Sequence, residues 1–199
     1  GVAAAQSSPV KPVRVVTAGA GGGNDFVARI VAQGLSGSLG QQVIVDNRPT
    51  PTPGQVASRA QPDGYTLLVG SSTVWILPLL RETNYDALRD FSPITLAGTV
   101  PNILVVNPSF PVRSVAELIA LARAKPGDLN YASGQSGGGS HLGMELFKHM
   151  AGIDVVRVVY KGGGLALIGL LRGEVQMTFD DPPTLMPNVK LGRLRALAV

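Results

Sequence analysis

Cysteine is absent from the 199 residues, and charged and aromatic residues are scarce, at 15% and 5%. Without cysteine there is no disulfide framework, no thiolate metal site and no cysteine nucleophile. So few charged and aromatic side chains argue against a coiled coil and against a nucleic-acid binder that stacks bases on aromatic rings. The net charge is +4, and the charged residues form no run of one sign along the sequence. Such a distribution is typical of an ordinary solvated surface.

Long apolar runs are also missing. The longest nearly unbroken run, at residues 162–171, is far shorter than the roughly 18 residues that a membrane helix needs. A hydrophobic content of 45% is nevertheless enough for the core of one or two domains. The first six residues, GVAAAQ, resemble the small-residue tail of a cleaved secretory signal, although an arbitrary flexible terminus would look the same.

Short β-branched runs alternate with helical patterns along the whole chain, which predicts an α/β fold around largely parallel sheets. The predicted strands are residues 13–16, 42–46, 66–69, 102–106, 129–132, 155–159, 174–179 and 194–199. The predicted helices are 25–39, 114–124, 164–171, 182–191 and one that ends at 150, while the proline-rich residues 49–53 are expected to exclude a helix. A change of composition near residues 91–94 predicts two α/β domains, 1–100 and 101–199.

Two glycine loops stand between a predicted strand and a predicted helix, around residues 19–25 and 133–141. Asn24 or Asp25 is expected to cap the first of these helices. The first N–H groups of a helix have no partner within it and attract anions, so each loop is a candidate anion cradle. The alternative is that βα turns simply need glycine in order to bend.

Enzyme fingerprints fit these loops poorly. Asn24 stands where the dinucleotide motif G-x-G-x-x-G requires its last glycine, and no P-loop motif occurs in the chain. Residues 134–138, GQSGG, match the nucleophile elbow G-x-S-x-G, which makes a serine hydrolase with Ser136 the alternative function. The available partners, Glu145 and His149, would however lie on adjacent turns of one helix, so a catalytic triad is not expected.

Other candidate groups are few. The spacing of His141 and His149 is not that of a metal site, and His141 is expected in a loop or cap. Asp180 and Asp181 end an apolar strand, where ligands bind in α/β sheets. We expect Asp181 to cap the following helix and Asp180 to contact an amine or hydroxyl of a ligand.

Several segments together resemble the Bug-type periplasmic substrate-binding proteins of tripartite tricarboxylate transporters. The resemblance lies in GGGNDFVAR at 21–29, DNRP at 46–49, PDGYTLL at 62–68, DFSP at 90–93, PNILVVNP at 101–108, SVAEL at 114–118, LNYAS at 129–133, SHL at 140–142, VYKG at 159–162, MTFD at 177–180 and LRALAV at 194–199. The match as a whole runs in order and spacing from about residue 12 to the last residue.

The resemblance implies a periplasmic solute receptor of the two-domain periplasmic-binding-protein type. Such a receptor closes on a small carboxylate and delivers it to the membrane components of its transporter. It needs no catalytic residue, metal, cofactor or nucleic acid. The implied ligand-binding residues are Thr17, Ala18, Gly21, Gly22, Gly23, Asn24, Asp25, Ser71 and Ser72 on the first domain, and Ser133, Gly134, Ser136, Gly138, Gly139, Ser140, His141 and Asp180 on the second.

Three departures from the family pattern qualify that expectation. Thr17 and Ala18 replace the Pro-Phe pair that usually precedes the first glycine loop. Residues 50–54, TPTPG, replace a glycine-rich helix entrance, so no ligand contact is assumed there. The chain ends at Val199, about two-thirds of the way through a typical member, which implies a first domain without its returning C-terminal segment.

Overall fold

The first half of the chain forms a three-stranded parallel sheet. In this computed structural model, which describes residues 9–49, 52–134 and 136–199, the strands are β1 (Val13–Thr17), β2 (Val43–Asn47) and β3 (Thr66–Leu68), in the order β2-β1-β3. The helices are α1 (Gly23–Leu39), α2 (Thr52–Ser58) and α3 (Thr73–Leu80). The signal-like residues 1–6 lie outside the described part of the chain.

The second half forms a five-stranded mixed sheet. Its strands are β4 (Ile103–Val106), β5 (Asn130–Ser133), β6 (Val156–Val159), β7 (Met177–Asp180) and β8 (Arg195–Ala198), in the order β6-β5-β7-β4-β8. Its helices are α4 (Val115–Ala124), α5 (Gly139–Ala151), α6 (Gly163–Leu171) and α7 (Pro182–Lys190). β5 runs parallel to β6 and β7, whereas β4 is antiparallel to β7 and β8. The expected α/β fold with largely parallel sheets is therefore confirmed.

Alternation along the strands divides the core of the second half between two faces. Leu104 and Val106 face one hydrophobic cluster, while Ile103 and Val105 face the other. Successive side chains of a strand point to opposite faces, so a strand with all four residues buried needs cover on both sides. The first half has one smaller cluster, in which the alanines of α1 allow that helix to lie close to β1.

Two predictions about the first half are wrong. Residues 52 and 53 belong to α2, although the run 49–53 was expected to exclude a helix. Pro53 occupies the first turn, where the missing N–H costs no internal hydrogen bond. The spacing of the apolar residues 27, 30, 31 and 35 predicts that they share one face of α1, but the buried positions are Asp25, Ala28 and Ala32, and Ile30 is exposed.

The two sheets are joined by residues 91–102, which carry neither helix nor strand. Ile94 and Leu96 are each 78% exposed in this segment. The boundary expected near residue 100 falls here, and its status as a domain boundary stays a prediction. No helix in the described part of the chain is long and apolar enough to cross a membrane.

Candidate functional site

The candidate site lies at the carboxyl ends of parallel strands. β1 ends at Thr17 and β5 ends at Ser133, and both residues are fully buried. The hydroxyl of Thr17 donates to the carbonyl oxygen of Val69 at 2.9 Å, which ties the end of β1 to the end of β3. Ligands of α/β proteins bind at this edge of the sheet, where the loops lead into the helices.

The two predicted glycine loops have the same construction. Gly21 and Gly137 both adopt a φ of 80°, a conformation that favours glycine. In each loop a side chain from the first turn of the helix reaches back to that glycine. The N–H of Gly21 donates to Asp25 Oδ2 at 3.0 Å, and the N–H of Gly137 donates to His141 Nδ1 at 3.1 Å.

Three helices begin at the site without a side-chain cap. The N-cap residues of α1, α5 and α6 are Gly22, Gly138 and Gly162, and none of them supplies a capping hydrogen bond from a side chain. By contrast, α4 lies elsewhere and is capped by Ser114, as its S-x-x-E pattern predicts. Glycine caps leave the first N–H groups of a helix open to an external acceptor.

The loop of residues 162–164 is an element of the candidate site that the sequence analysis missed. A Cβ built on Gly22 would lie 3.9 Å from the nitrogen of Gly163, and one built on Gly134 would lie 3.4 Å from it. The predicted loops of both halves therefore meet at Gly163. The signal was present in the sequence, because residues 156–171 repeat the pattern of a strand, a glycine run and a helix.

Asp25 braces the first loop and is not the N-cap that was expected. Its Oδ1 accepts from Asn47 Nδ2 at 2.9 Å and pairs with Arg29 Nε at 3.0 Å. Burial raises the pKa of Asp25, but the hydrogen bonds from Gly21, Arg29 and Asn47 outweigh burial and hold the pKa below its usual range. The prediction failed because the turn at Gly21 brings the loop back over the first helical turn, within reach of this carboxylate.

The second loop is braced by its own first helical turn. The N–H of Gly134 donates to Ser140 Oγ at 3.4 Å. A Cβ on Gly139 would lie 3.1 Å from Asn102 Nδ2, so that side chain also packs against the start of α5. Burial lowers the pKa of His141, and the charge of Arg157 lowers it further, which favours the neutral ring that accepts from Gly137.

The two carboxylates after β7 have different surroundings. Asp181 caps α7, because its Oδ1 accepts from the N–H of Thr184 at 3.2 Å and from its hydroxyl at 2.7 Å, which confirms the predicted cap. A Cβ on Gly23 would overlap Oδ2 of Asp181, so this side chain also touches the start of α1. Asp180 accepts from the N–H of Asp181 at 2.9 Å, and a Cβ on Gly163 would lie 3.3 Å from its Oδ2.

The loop between β3 and α3 also contributes residues of the first half to the candidate site. Ser72 Oγ donates to the carbonyl oxygen of Gly137 at 3.2 Å, which joins the two halves directly. Ser71, Ala18 and Asn24 line a small cavity of about 20 Å³ beside it. A volume of that size holds about one water molecule.

Ser136 lacks the surroundings of a nucleophile. Its hydroxyl accepts from Arg157 Nη1 at 3.1 Å, and an arginine cannot serve as a general base. Nδ1 of His141 accepts the hydrogen bond from the N–H of Gly137 and not from Ser136. Over the described ranges, no three His, Asp or Glu residues are grouped so as to hold a metal ion.

The structure thus brings the predicted site residues to one region, where the loops of both halves meet. Their role in ligand binding stays a prediction. Asp25 and Asp181 are committed to structural hydrogen bonds, while Asp180 faces the loop at Gly163.

Known proteins with similar sequences and structures identify the family. The family described as "Tripartite tricarboxylate transporter family receptor" matches residues 27–199. Protein BugT of Bordetella pertussis is 36% identical over 203 residues, which cover 98% of this chain and 62% of that protein. The chain therefore spans about three-fifths of the length of this relative.

Two solved structures resemble the whole described fold. The R. palustris protein Rpa4515, solved with adipate, is 36% identical with a TM-score of 0.92, over 96% of this chain and 66% of that one. MatC from Rhodopseudomonas palustris, solved with bound malate, is 27% identical with a TM-score of 0.84, over 94% and 66%. Together with the family match, these similarities confirm the resemblance carried by the sequence motifs. The chain belongs to the receptor family of tripartite tricarboxylate transporters, a family of solute-binding receptors and not of enzymes.

Proposed function

We propose that this chain binds a small carboxylate between the glycine loops of its two halves. The observation that carries the proposal is that the uncapped N-termini of α1 and α6 meet at Gly163, where the loop that precedes the uncapped helix α5 also arrives through Gly134. Their free N–H groups and helix dipoles favour a negative charge at that point. The adipate and malate held by the two similar R. palustris proteins are acids of this class.

The biological role follows from the family. We propose that the protein works in the periplasm and passes its ligand to the membrane components of a tripartite transporter. Binding then needs no chemistry, only a ligand that favours the closed arrangement of the two halves over an open one. The hydrogen bond from Ser72 to Gly137 and the contact of Asp181 with Gly23 are two links that such an opening would break.

Asp180 is the proposed selective group. As a carboxylate beside the glycine loops, it would pair with a ligand ammonium and favour amino acids over plain dicarboxylates. The comparison of glutamate with glutarate measures this preference, and Asp180→Asn should abolish it. An equal loss for both ligands, or no loss, would contradict the selective role.

Isothermal titration calorimetry with adipate tests the binding site itself. Gly22→Val places a branched side chain toward Gly163 without backbone strain, because Gly22 has an extended conformation with a φ of −102°. We expect the dissociation constant for adipate to rise at least about tenfold. Gly37→Val is the matched control, since a Cβ on Gly37 meets nothing within 4 Å.

The same titration separates success from failure. Unchanged binding by Gly22→Val would place the site elsewhere. Equal losses in Gly22→Val and Gly37→Val would indicate damage to α1 and not to the site. No heat with adipate, malate, glutarate or glutamate for the unaltered chain would contradict carboxylate binding.

A further inference from the structure

Arg157 of β6 holds the glycine loop that precedes α5. Its Nε donates to Ser133 Oγ at 2.6 Å and its Nη1 donates to Ser136 Oγ at 3.1 Å. Ser133 ends β5, and Ser136 lies in the middle of the loop. One guanidinium therefore forms hydrogen bonds with two of the residues expected to bind the ligand, although no sequence motif points to Arg157.

Within the described part of the chain, Arg157 forms no ion pair. Among the described residues, no carboxylate lies within ion-pair distance of its guanidinium. Glu145 acts on it electrostatically, but that carboxylate accepts from Tyr131 Oη at 2.6 Å and pairs with Lys148 Nζ at 3.1 Å.

One nitrogen of the same guanidinium also lacks a partner. Nη2 of Arg157 is buried and makes no hydrogen bond to any described residue. Buried charged groups are normally paired, because an unpaired one loses its hydration without compensation. A cationic donor that contacts this loop and has no partner among the described residues indicates a counterion from outside the chain.

We propose that Arg157 forms a second anion subsite, which receives the distal acid group of a dicarboxylate. This inference rests on the proposed function, in which the first acid group is bound where the glycine loops meet. The planar fork of a guanidinium matches the two oxygens of a carboxylate. Glycines at 134, 137 and 138 give the intervening backbone freedom to admit the acid. The subsite selects dicarboxylates over monocarboxylates of the same length.

A purely structural role for Arg157 makes a different prediction. If the guanidinium only braces Ser133 and Ser136, its loss weakens the binding of every ligand alike. If it also binds the distal acid group, its loss weakens the binding of dicarboxylates more than that of monocarboxylates. Adipate and hexanoate have the same carbon chain and differ in that one acid group, so this pair distinguishes the two roles.

The test is calorimetry of the full chain with adipate and hexanoate, for the unaltered protein, Arg157→Gln and Arg157→Lys. The unaltered protein should bind adipate at least about tenfold more tightly than hexanoate. Arg157→Gln should lose roughly 10- to 100-fold more affinity for adipate than for hexanoate, the range of a hydrogen bond to a charged group, so that the preference for adipate disappears. Arg157→Lys keeps the charge but not the fork and should retain part of the preference.

Two results would overturn the subsite. Equal affinities of the unaltered protein for adipate and hexanoate would show that the distal acid group is not bound, and this measurement does not depend on any variant folding. Equal losses for both acids in Arg157→Gln would show that Arg157 only braces the loop. In both cases the proposed carboxylate receptor survives. Failure of the unaltered protein to bind any acid would instead reject the proposed function, and the subsite with it.

Discussion

The carboxyl group of Asp180 lies beside a second carboxyl group, that of Asp181. Burial raises its pKa, and the charge of Asp181 raises it further, to about 7 despite the hydrogen bond from the N–H of Asp181. Asp180 therefore changes its charge near neutral pH, at the point where the glycine loops meet. Perturbed acids of this kind are common at functional sites.

This raised pKa has a consequence for stability. Between pH 4 and 7 the folded chain keeps a proton on Asp180 that the unfolded chain has released, so the free energy of unfolding falls as the pH rises. Asp180→Asn removes this dependence. As the pH rises from 4 to 8, we therefore expect the free energy of unfolding of the variant to increase by about 2–4 kcal/mol relative to that of the unaltered protein. Urea unfolding at both pH values measures the difference. A difference in the free energy of unfolding between variant and unaltered protein that is the same at both pH values would contradict the raised pKa.

At the scale of elements, α1 and α7 meet through one side chain. Asp181 caps α7 with Oδ1 and touches the start of α1 at Gly23 with Oδ2. A methyl group on Gly23 would push Oδ2 away and disturb the cap, because both oxygens belong to one rigid carboxylate. The contact therefore couples two helices from different halves of the molecule.

A double-mutant cycle measures this coupling. Gly23→Ala should lower the free energy of unfolding by about 1–2 kcal/mol, the cost of a disturbed cap, when Asp181 is present. In the Asp181→Ala background the clash is gone, and the same change should cost nothing or stabilise the helix. Gly22→Ala is the control, since its Cβ would make only ordinary contacts. Equal effects of Gly23→Ala in both backgrounds would contradict the contact.

The individual elements were largely predictable from the sequence. The caps at Ser114 and Asp181 appear where their patterns indicate, because caps are local interactions. The helices α2 and α3 escaped prediction, since both contain a proline and α3 has no polar face to mark its period.

The meeting of the loops could not be predicted in the same way. Gly22, Gly134 and Gly163 are far apart in sequence, and nothing local indicates that they approach each other. The hydrogen bonds of Arg157 with Ser133 and Ser136 likewise form only because β5 pairs with β6. Sequence motifs therefore gave candidate residues, while the arrangement that makes them a site is a tertiary property.

At the scale of the molecule, the two halves differ in how well they are covered. The second sheet has five strands with a core cluster on each face, whereas the first has three strands and one small cluster. Large apolar side chains are exposed in α3 and in the segment that follows it, notably Leu79, Leu88 and Ile94. Local opening is easier where few apolar groups are buried.

Hydrogen exchange should therefore distinguish the halves. We expect amides of β4, β5 and β7 to exchange at least about tenfold more slowly than those of β1, β2 and β3. Mass spectrometry of peptides from residues 13–68 and 103–198 measures this. Equal protection of the two sheets would show that the smaller core is as stable as the larger one.

The central claim is that a carboxylate binds where the glycine loops of the two halves meet. Amide chemical shifts followed during a titration with adipate test it most directly, because glycine amides resonate in a distinct region. We predict saturable shifts for amides at 21–25, 137–141 and 162–164, from both halves at once and with one dissociation constant. Saturable shifts confined to one half, or located away from these loops, would contradict the claim.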